Sequence, residues 1–136
     1  AMLKTYPHWF DPAYRDFDTE GAYTTPVDMH ALIALNAPTP LLIGNGRRDV
    51  WSDPNGSWRA VLEAAPIYAA AGTSSLQQDG MRDANLEADL VFWMRPGGHS
   101  ITAADWDAWL TWLDNVMPQG EEVPASANAA SVSTNN

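Results

Sequence analysis

Pro40-Leu-Leu-Ile-Gly-Asn-Gly-Arg-Arg-Asp49-Val-Trp51 and Leu90-Val-Phe-Trp-Met-Arg-Pro-Gly-Gly-His99 are two segments built on one plan. Each is a continuous apolar run, the pattern of a strand buried on both faces of a parallel sheet. Each then breaks into a loop that carries an ionisable residue, an acid in the first and a histidine in the second. A helix-length stretch separates them. Residues 40–45 are therefore expected to form one strand and residues 89–95 a second, joined by a crossover of the kind that is right-handed almost without exception.

Outward from these strands the periodicity turns helical. Asp28 to Ala37 predicts a helix with Asp28 as its N-cap and Pro38 as its stop. A second helix is expected from about Ser57 to Ala71, through Trp58, Val61, Leu62, Ala65 and Tyr68, ending at Gly72; Pro66 inside it should kink or break it. Residues 73–88 are polar, contain Gly80 and read as a surface loop. A third helix, Ala103 to about Val116, sets Trp106, Trp109, Leu110 and Leu113 at spacings of three and four, an apolar face that has to be covered. Residues 1–27 place Pro7, Pro12 and Pro26 among aromatic side chains with no sustained period, which suits irregular chain with one short helix. After Pro118 the composition falls to Glu, Ala, Ser, Asn and Thr, expected to be a disordered tail. The chain thus divides at 117 into a structured portion, 1–117, and a tail, 118–136. The fold class is α/β, two parallel strands with flanking helices, and it is incomplete as a single domain. Two strands cannot bury the faces of three amphipathic helices, and their edges stand open.

Composition narrows the function classes. With 17 acidic against 7 basic residues in 136, the net charge is -10, and the few Lys and Arg are scattered. Phosphate-backbone binding needs a basic footprint, so nucleic acid is not an expected partner. No apolar run approaches the ~20 residues of a membrane span, and the N-terminus has no series of signal-peptide type. Zero cysteines exclude disulfides and thiolate catalysis. His8, His30 and His99 share no metal-ligand spacing, and His30, in an apolar helix, reads as a hydrogen-bonded structural residue. Asp53, Asn55 and Gly56 are faintly like a calcium loop, but position 51 is Trp and the closing glutamate is misplaced. No metal and no cofactor are expected. Asn55-Gly-Ser57 fits a glycosylation sequon, a short pattern frequent by chance.

Three residues can carry chemistry. His99 follows a strand in Pro96-Gly-Gly-His-Ser, where two glycines let the backbone turn and leave the imidazole at the C-terminal edge of the sheet, the edge at which open α/β folds place their sites. An imidazole there can take a proton from a hydroxyl and return it to a leaving group; the plainer reading is a loop histidine that caps a helix or bonds a carbonyl. Asp49 follows the first strand and would meet His99 if the strands are neighbours, holding the tautomer and stabilising the protonated ring. Against this stands a turn aspartate, or one paired with Arg47 or Arg48. Trp51, two residues on, offers a flat apolar face and one donor nitrogen, which suits a sugar ring, though most tryptophans are core. Ser52, Ser57, Ser74, Ser75 and Ser100 all lie outside a strand-elbow-helix context.

Acid then histidine, each after a strand, is the order in an α/β-hydrolase triad, whose serine comes earlier on a Gly-x-Ser-x-Gly elbow. Such an elbow does not occur in these 136 residues. Trp9-Phe10, Pro26-Val-Asp-Met-His30, Ala37-Pro-Thr-Pro-Leu, Asp49-Val-Trp51-Ser-Asp-Pro54, Pro66-Ile-Tyr68, Gly97-Gly-His99 and Asp105-Trp106 together resemble the glucuronoyl esterases of carbohydrate esterase family 15, over roughly residues 5–117. The resemblance implies the C-terminal part of an α/β-hydrolase catalytic domain that splits esters of 4-O-methylglucuronic acid on xylan with a Ser-His-acid triad and no metal. It implies His99 as catalytic base, Asp49 as the acid used in a subset of members, and Trp51 as a contact to the uronic acid. It also implies a secreted or periplasmic enzyme. The nucleophile is then expected from a complementary N-terminal segment, acting on a glucuronoxylan-type carbohydrate ester. The alternative is a non-catalytic carbohydrate-binding or self-associating module of the same fold.

Overall fold

The structure, a computed structural model, describes residues 2–13 and 28–117. The tail expected from 118 onward, and residues 14–27 of the aromatic and proline-rich stretch, lie outside the described residues. In chain order the elements are α1 (Met2–Thr5), a 3-10 turn (Pro7–Trp9), α2 (Met29–Ala34), β1 (Leu41–Gly46), α3 (Pro54–Ala70), β2 (Leu90–Arg95) and α4 (Ala103–Val116).

The two apolar runs pair as parallel neighbours, in register from Leu41 opposite Leu90 to Gly46 opposite Arg95. Successive side chains of a strand point to opposite faces, and β2 uses both. Leu90, Phe92 and Met94 turn toward α3, where Val61 and Tyr68 complete the buried cluster. Trp93 and Arg95 turn the other way and meet Asp105 at the start of α4. The sheet is therefore held between α3 and α4. Val61, Ala64 and Tyr68 recur at spacings of three and four and are fully buried, the stripe of a helix laid on a core. Burying each large apolar side chain contributes roughly 1.5–3 kcal/mol. Tyr68 also donates its hydroxyl to the Thr39 carbonyl at 3.0 Å, and burial, with Asp89 nearby, pushes its phenol above the usual tyrosine value.

Four expectations from the sequence need correction. Helix α3 starts at Pro54 rather than near Ser57, because Asp53 accepts a hydrogen bond from the Gly56 amide and Pro54 occupies the first turn, where a missing N–H costs nothing. Asn55, the sequon residue, is thus exposed in the first turn of a helix. Nor does Pro66 break α3: the carbonyl it leaves without a donor belongs to Leu62, 43% exposed, which water can serve. Helix α2 ends at Ala34, short of Ala37, with the Asn36 amide turned back onto the Leu32 and Ile33 carbonyls. Its His30 is exposed and makes no side-chain hydrogen bond with a described residue, so it is not the bonded structural histidine expected.

Residues 73–88 are a loop, but one that serves the sheet. Leu76 bridges Leu90 in parallel, and the Gln78 side-chain amide both donates to the Phe92 carbonyl and accepts its N–H, at 3.2 and 2.9 Å. One edge of β2 is covered by that mimicry. The outer edge of β1 pairs with no strand among the described residues. On α4, Ala108 is buried and the Trp112 indole donates to the Ala88 carbonyl, whereas Trp106, Leu110 and Leu113 remain 55, 55 and 36% exposed. The apolar face expected to need a cover stays uncovered within these residues. No helix among them is long and apolar enough to cross a membrane.

Candidate active site

Both strands deliver their loops to the same edge of the sheet, and the backbone there is knitted beyond the strands themselves. Arg47 N–H donates to the Arg95 carbonyl at 2.9 Å, and Arg48 N–H to the Gly97 carbonyl at 2.8 Å. That proximity explains two glycines. A Cβ on Gly46 would stand 2.5 Å from the Gly98 oxygen, and Gly97 sits at φ +115, a conformation that L side chains rarely adopt.

The crossing loops bring the two predicted residues together. His99 Nδ1 lies 2.8 Å from Asp49 Oδ2. Asp49 is buried, its side chain 8% exposed, while the His99 side chain is 86% exposed, so the Nε2 edge of the ring is open. The hydrogen bond to His99 holds the Asp49 carboxyl below the ordinary aspartate value, against burial, which alone would raise it. No ion pair joins Asp49 to Arg47 or Arg48 among the described residues. The turn that presents Asp49 is made by its own N–H to the Gly46 carbonyl, 2.9 Å, and by Ser52, whose hydroxyl donates to the Asp49 carbonyl at 3.2 Å.

Around the pair lies a cavity of about 400 Å³ on the α4 side of the sheet, lined by Asn45, Asp49, Ser52, His99, Ile101 and Trp109 among others. Two buried oxygens accept no hydrogen bond from the described residues, Asn45 Oδ1 and Asp49 Oδ1. Trp51 does not line that cavity. It is 62% exposed, its ring 6.1 Å from Tyr6, which in turn stacks on Trp9 at 4.3 Å. The structure therefore joins Asp49 and His99 and sets Trp51 beside them on an open aromatic ledge.

Every described serine hydroxyl is occupied, and none touches His99. Ser52 bonds the Asp49 carbonyl, Ser57 the Ser52 carbonyl, Ser74 the Asp89 carboxylate and Ser75 the Ala65 carbonyl, while Ser100 Oγ accepts from Arg95. No group of three or more His, Asp or Glu among the described residues could hold a metal ion.

Sequence reasoning missed one buried pair. Arg95 and Asp105 are each 4% exposed and meet at 2.6 Å. Burial acts to raise the Asp105 carboxyl, but it is held low by the Thr102 amide and hydroxyl, the Trp93 indole and Arg95. The legible signal was Thr102-x-x-Asp105 ahead of an apolar helix, a capping pattern. The arginine that ends an otherwise apolar strand carried no such mark.

No protein-family model matches the chain. A curated carbohydrate esterase from an unknown prokaryotic organism is 34% identical to it over 120 residues, 87% of this chain and 28% of that protein. Among solved structures, a promiscuous CE15 esterase from a marine bacterial metagenome superposes with a TM-score of 0.76 at 33% identity, over 85% of this chain and 30% of the other. A glucuronoyl esterase from Solibacter usitatus gives 0.71 at 28% identity, over 84% and 29%. The chain spans under a third of the length of these relatives. Over the matched residues the chain is similar in sequence and in fold to esterases of carbohydrate esterase family 15, and the share of their length that it spans is consistent with a C-terminal part of that fold.

Proposed function

We propose that this chain supplies the base, the acid and a sugar-facing tryptophan to an ester hydrolase site whose serine comes from outside these 136 residues. The observation that carries the reading is the 2.8 Å contact between His99 Nδ1 and a buried Asp49, with the opposite edge of the ring open. An acid bonded to Nδ1 keeps the proton there and leaves Nε2 as the acceptor, so an incoming serine hydroxyl would lose its proton to Nε2 as its oxygen attacks the ester carbonyl. The imidazolium so formed is stabilised by Asp49 and returns the proton to the departing alcohol. Water then repeats the sequence on the acyl-serine, again deprotonated at Nε2.

The substrate class follows the relatives' names, an ester of a glucuronic acid; a xylan-type chain as its carrier is what the family resemblance implies. Trp51 offers its exposed face to the pyranose ring. A secreted or periplasmic location accords with an insoluble polysaccharide substrate. The partner is a hydrolase segment bearing the serine elbow, laid along the open edge of β1 and over Trp106, Leu110 and Leu113. Without it, that same surface favours self-association, since burial at ~25 cal/mol per Å² is too large a term to leave unused. Light scattering should then find the isolated chain larger than a monomer; a monodisperse, cooperatively melting monomer contradicts this part of the reading.

The test is hydrolysis of a 4-O-methylglucuronate ester by this chain mixed with a serine-elbow portion of a family member. His99→Ala should abolish turnover, Asp49→Asn should slow it less where another acid shares the orienting role, and Trp51→Ala should chiefly raise KM. Turnover that survives His99→Ala excludes the proposed role.

A further inference from the structure

The loop that carries His99, residues 96–100, contains two glycines and no side chain that packs in the core, yet it must hold an imidazole against Asp49. What fixes it comes from the strand behind it. The Arg95 guanidinium donates to the Pro96 carbonyl at 3.0 Å through Nη1, and through Nη2 to the Gly98 carbonyl at 2.9 Å, to Ser100 Oγ at 2.9 Å and to the Ser100 carbonyl. Its Nε reaches Asp105 at 2.6 Å. The acceptors of Nη2 flank His99 on both sides, one residue before and one after.

We propose that Arg95 is a positioning residue for His99: it fastens the backbone on either side of the imidazole and ties that loop, through Asp105, to the start of α4. The inference rests on the reading of His99 as the base. Three observations converge on it. Arg95 is buried, so its cation is spent on these partners rather than on solvent. Asp105 is itself immobilised by Trp93 Nε1 at 3.0 Å, by the Thr102 amide at 2.7 Å and by the Thr102 hydroxyl at 2.9 Å, which makes it a fixed anchor. Gly97 leaves the room the fork needs, since a Cβ there would stand 2.7 Å from Arg95 Nη1. A planar fork of donors is what this task requires; an ammonium in the same place would satisfy Asp105 but could not reach carbonyls on both sides of His99 at once.

A purely structural role predicts only a lower melting temperature. A positioning role also predicts a looser imidazole. The experiment follows solvent exchange of the His99 Nδ1 proton by NMR in the full chain with labelled histidine, for the parent, Arg95→Lys, Asp105→Asn and Val61→Ala. Val61→Ala is the control: it opens the core beneath α3, away from the loop. Arg95→Lys should accelerate exchange roughly tenfold or more, and Asp105→Asn by a smaller factor in the same direction, while Val61→Ala keeps the parent rate despite its lower melting temperature. Should Arg95→Lys fail to fold, Asp105→Asn carries the test alone. Exchange within about twofold of the parent in the folded Arg95 or Asp105 variants overturns the proposal, as does equal loosening in Val61→Ala. The readout needs neither serine nor substrate. Loosening without any His99-dependent turnover in the reconstituted mixture would keep the positioning role and remove the esterase reading; unchanged exchange with His99-dependent turnover would do the reverse.

Discussion

The two strand-end loops that build the site are held in opposite ways. The loop after β2 is fastened from within: a buried guanidinium bonds its carbonyls, and a buried carboxylate anchors the guanidinium. The loop after β1 is held by its own turn, by Ser52 and by Asp53 at the head of α3, and it leaves Val50 and Trp51 82 and 62% exposed. Charge-assisted bonds inside a low-dielectric region are the strong ones, and turn bonds at the surface are modest. The difference matches the tasks assigned above. Proton transfer tolerates little displacement of the imidazole, whereas an aromatic platform that meets a sugar can remain open.

The seam between the loops is the place to break this arrangement. Gly46→Ala would set a Cβ 2.5 Å from the Gly98 carbonyl oxygen, and neither backbone can retreat without losing the bonds from Arg47 and Arg48 across it. Overpacking of that kind costs about 1–3 kcal/mol, so this should be the largest loss in a thermal melt, accompanied by separation of Asp49 from His99. An unaltered melt would mean that the loops are farther apart than described.

Asp53→Ala tests the looser loop alone. Asp53 caps α3 and sits at φ 40, ψ 75, a left-handed conformation that aspartate tolerates better than alanine. The cap contributes about 1 kcal/mol, and Asp53→Asn, which keeps both the cap and the conformational tolerance, should restore most of it. Equal loss in both variants would point to the carboxylate charge instead.

The smallest effect is on the acid limb of the stability profile. Asp49 has its carboxyl held below the ordinary aspartate value by His99, so the unfolded chain binds a proton that the folded chain refuses between the two values. Its stabilising contribution is complete above the unfolded aspartate value and disappears as pH falls through the folded one. Melting curves of the parent and Asp49→Asn should therefore differ near neutrality and converge in acid. A difference that grows as pH falls would have the wrong sign for this linkage.

Much of the fold was legible because it is written in continuous apolar runs. β1, β2 and α4 were read to within a residue, since Leu41, Leu42 and Ile43, Leu90 to Met94, and Trp106 to Leu113 leave little choice of period. The start of α3 was misread because Asn55-Gly56-Ser57 carries loop composition and its capping signal lies just before it, in Asp53-Pro54. Trp112, one of four aromatic or leucine residues among the five positions 109–113, could not be singled out as the anchor until Ala88 was seen beneath it. The meeting of Asp49 and His99 was readable from their order and strand-end placement. Arg95 was not: an arginine announces a charge, and only the folded backbone reveals that its carbonyl partners converge. The same holds for Gln78, whose amide stands in for a strand that the pattern of residues 73–88 does not suggest.

The central claim is that base and acid are here and the nucleophile is not. A fluorophosphonate probe tests it most directly, applied to the isolated chain, to a serine-elbow portion of a family member, and to their mixture, with labelled residues located by mass spectrometry. The account predicts no labelled serine in this chain, labelling of the elbow serine in the mixture, and loss of that labelling with His99→Ala. Labelling of Ser52, Ser57, Ser74, Ser75 or Ser100, or elbow labelling indifferent to His99, would contradict it.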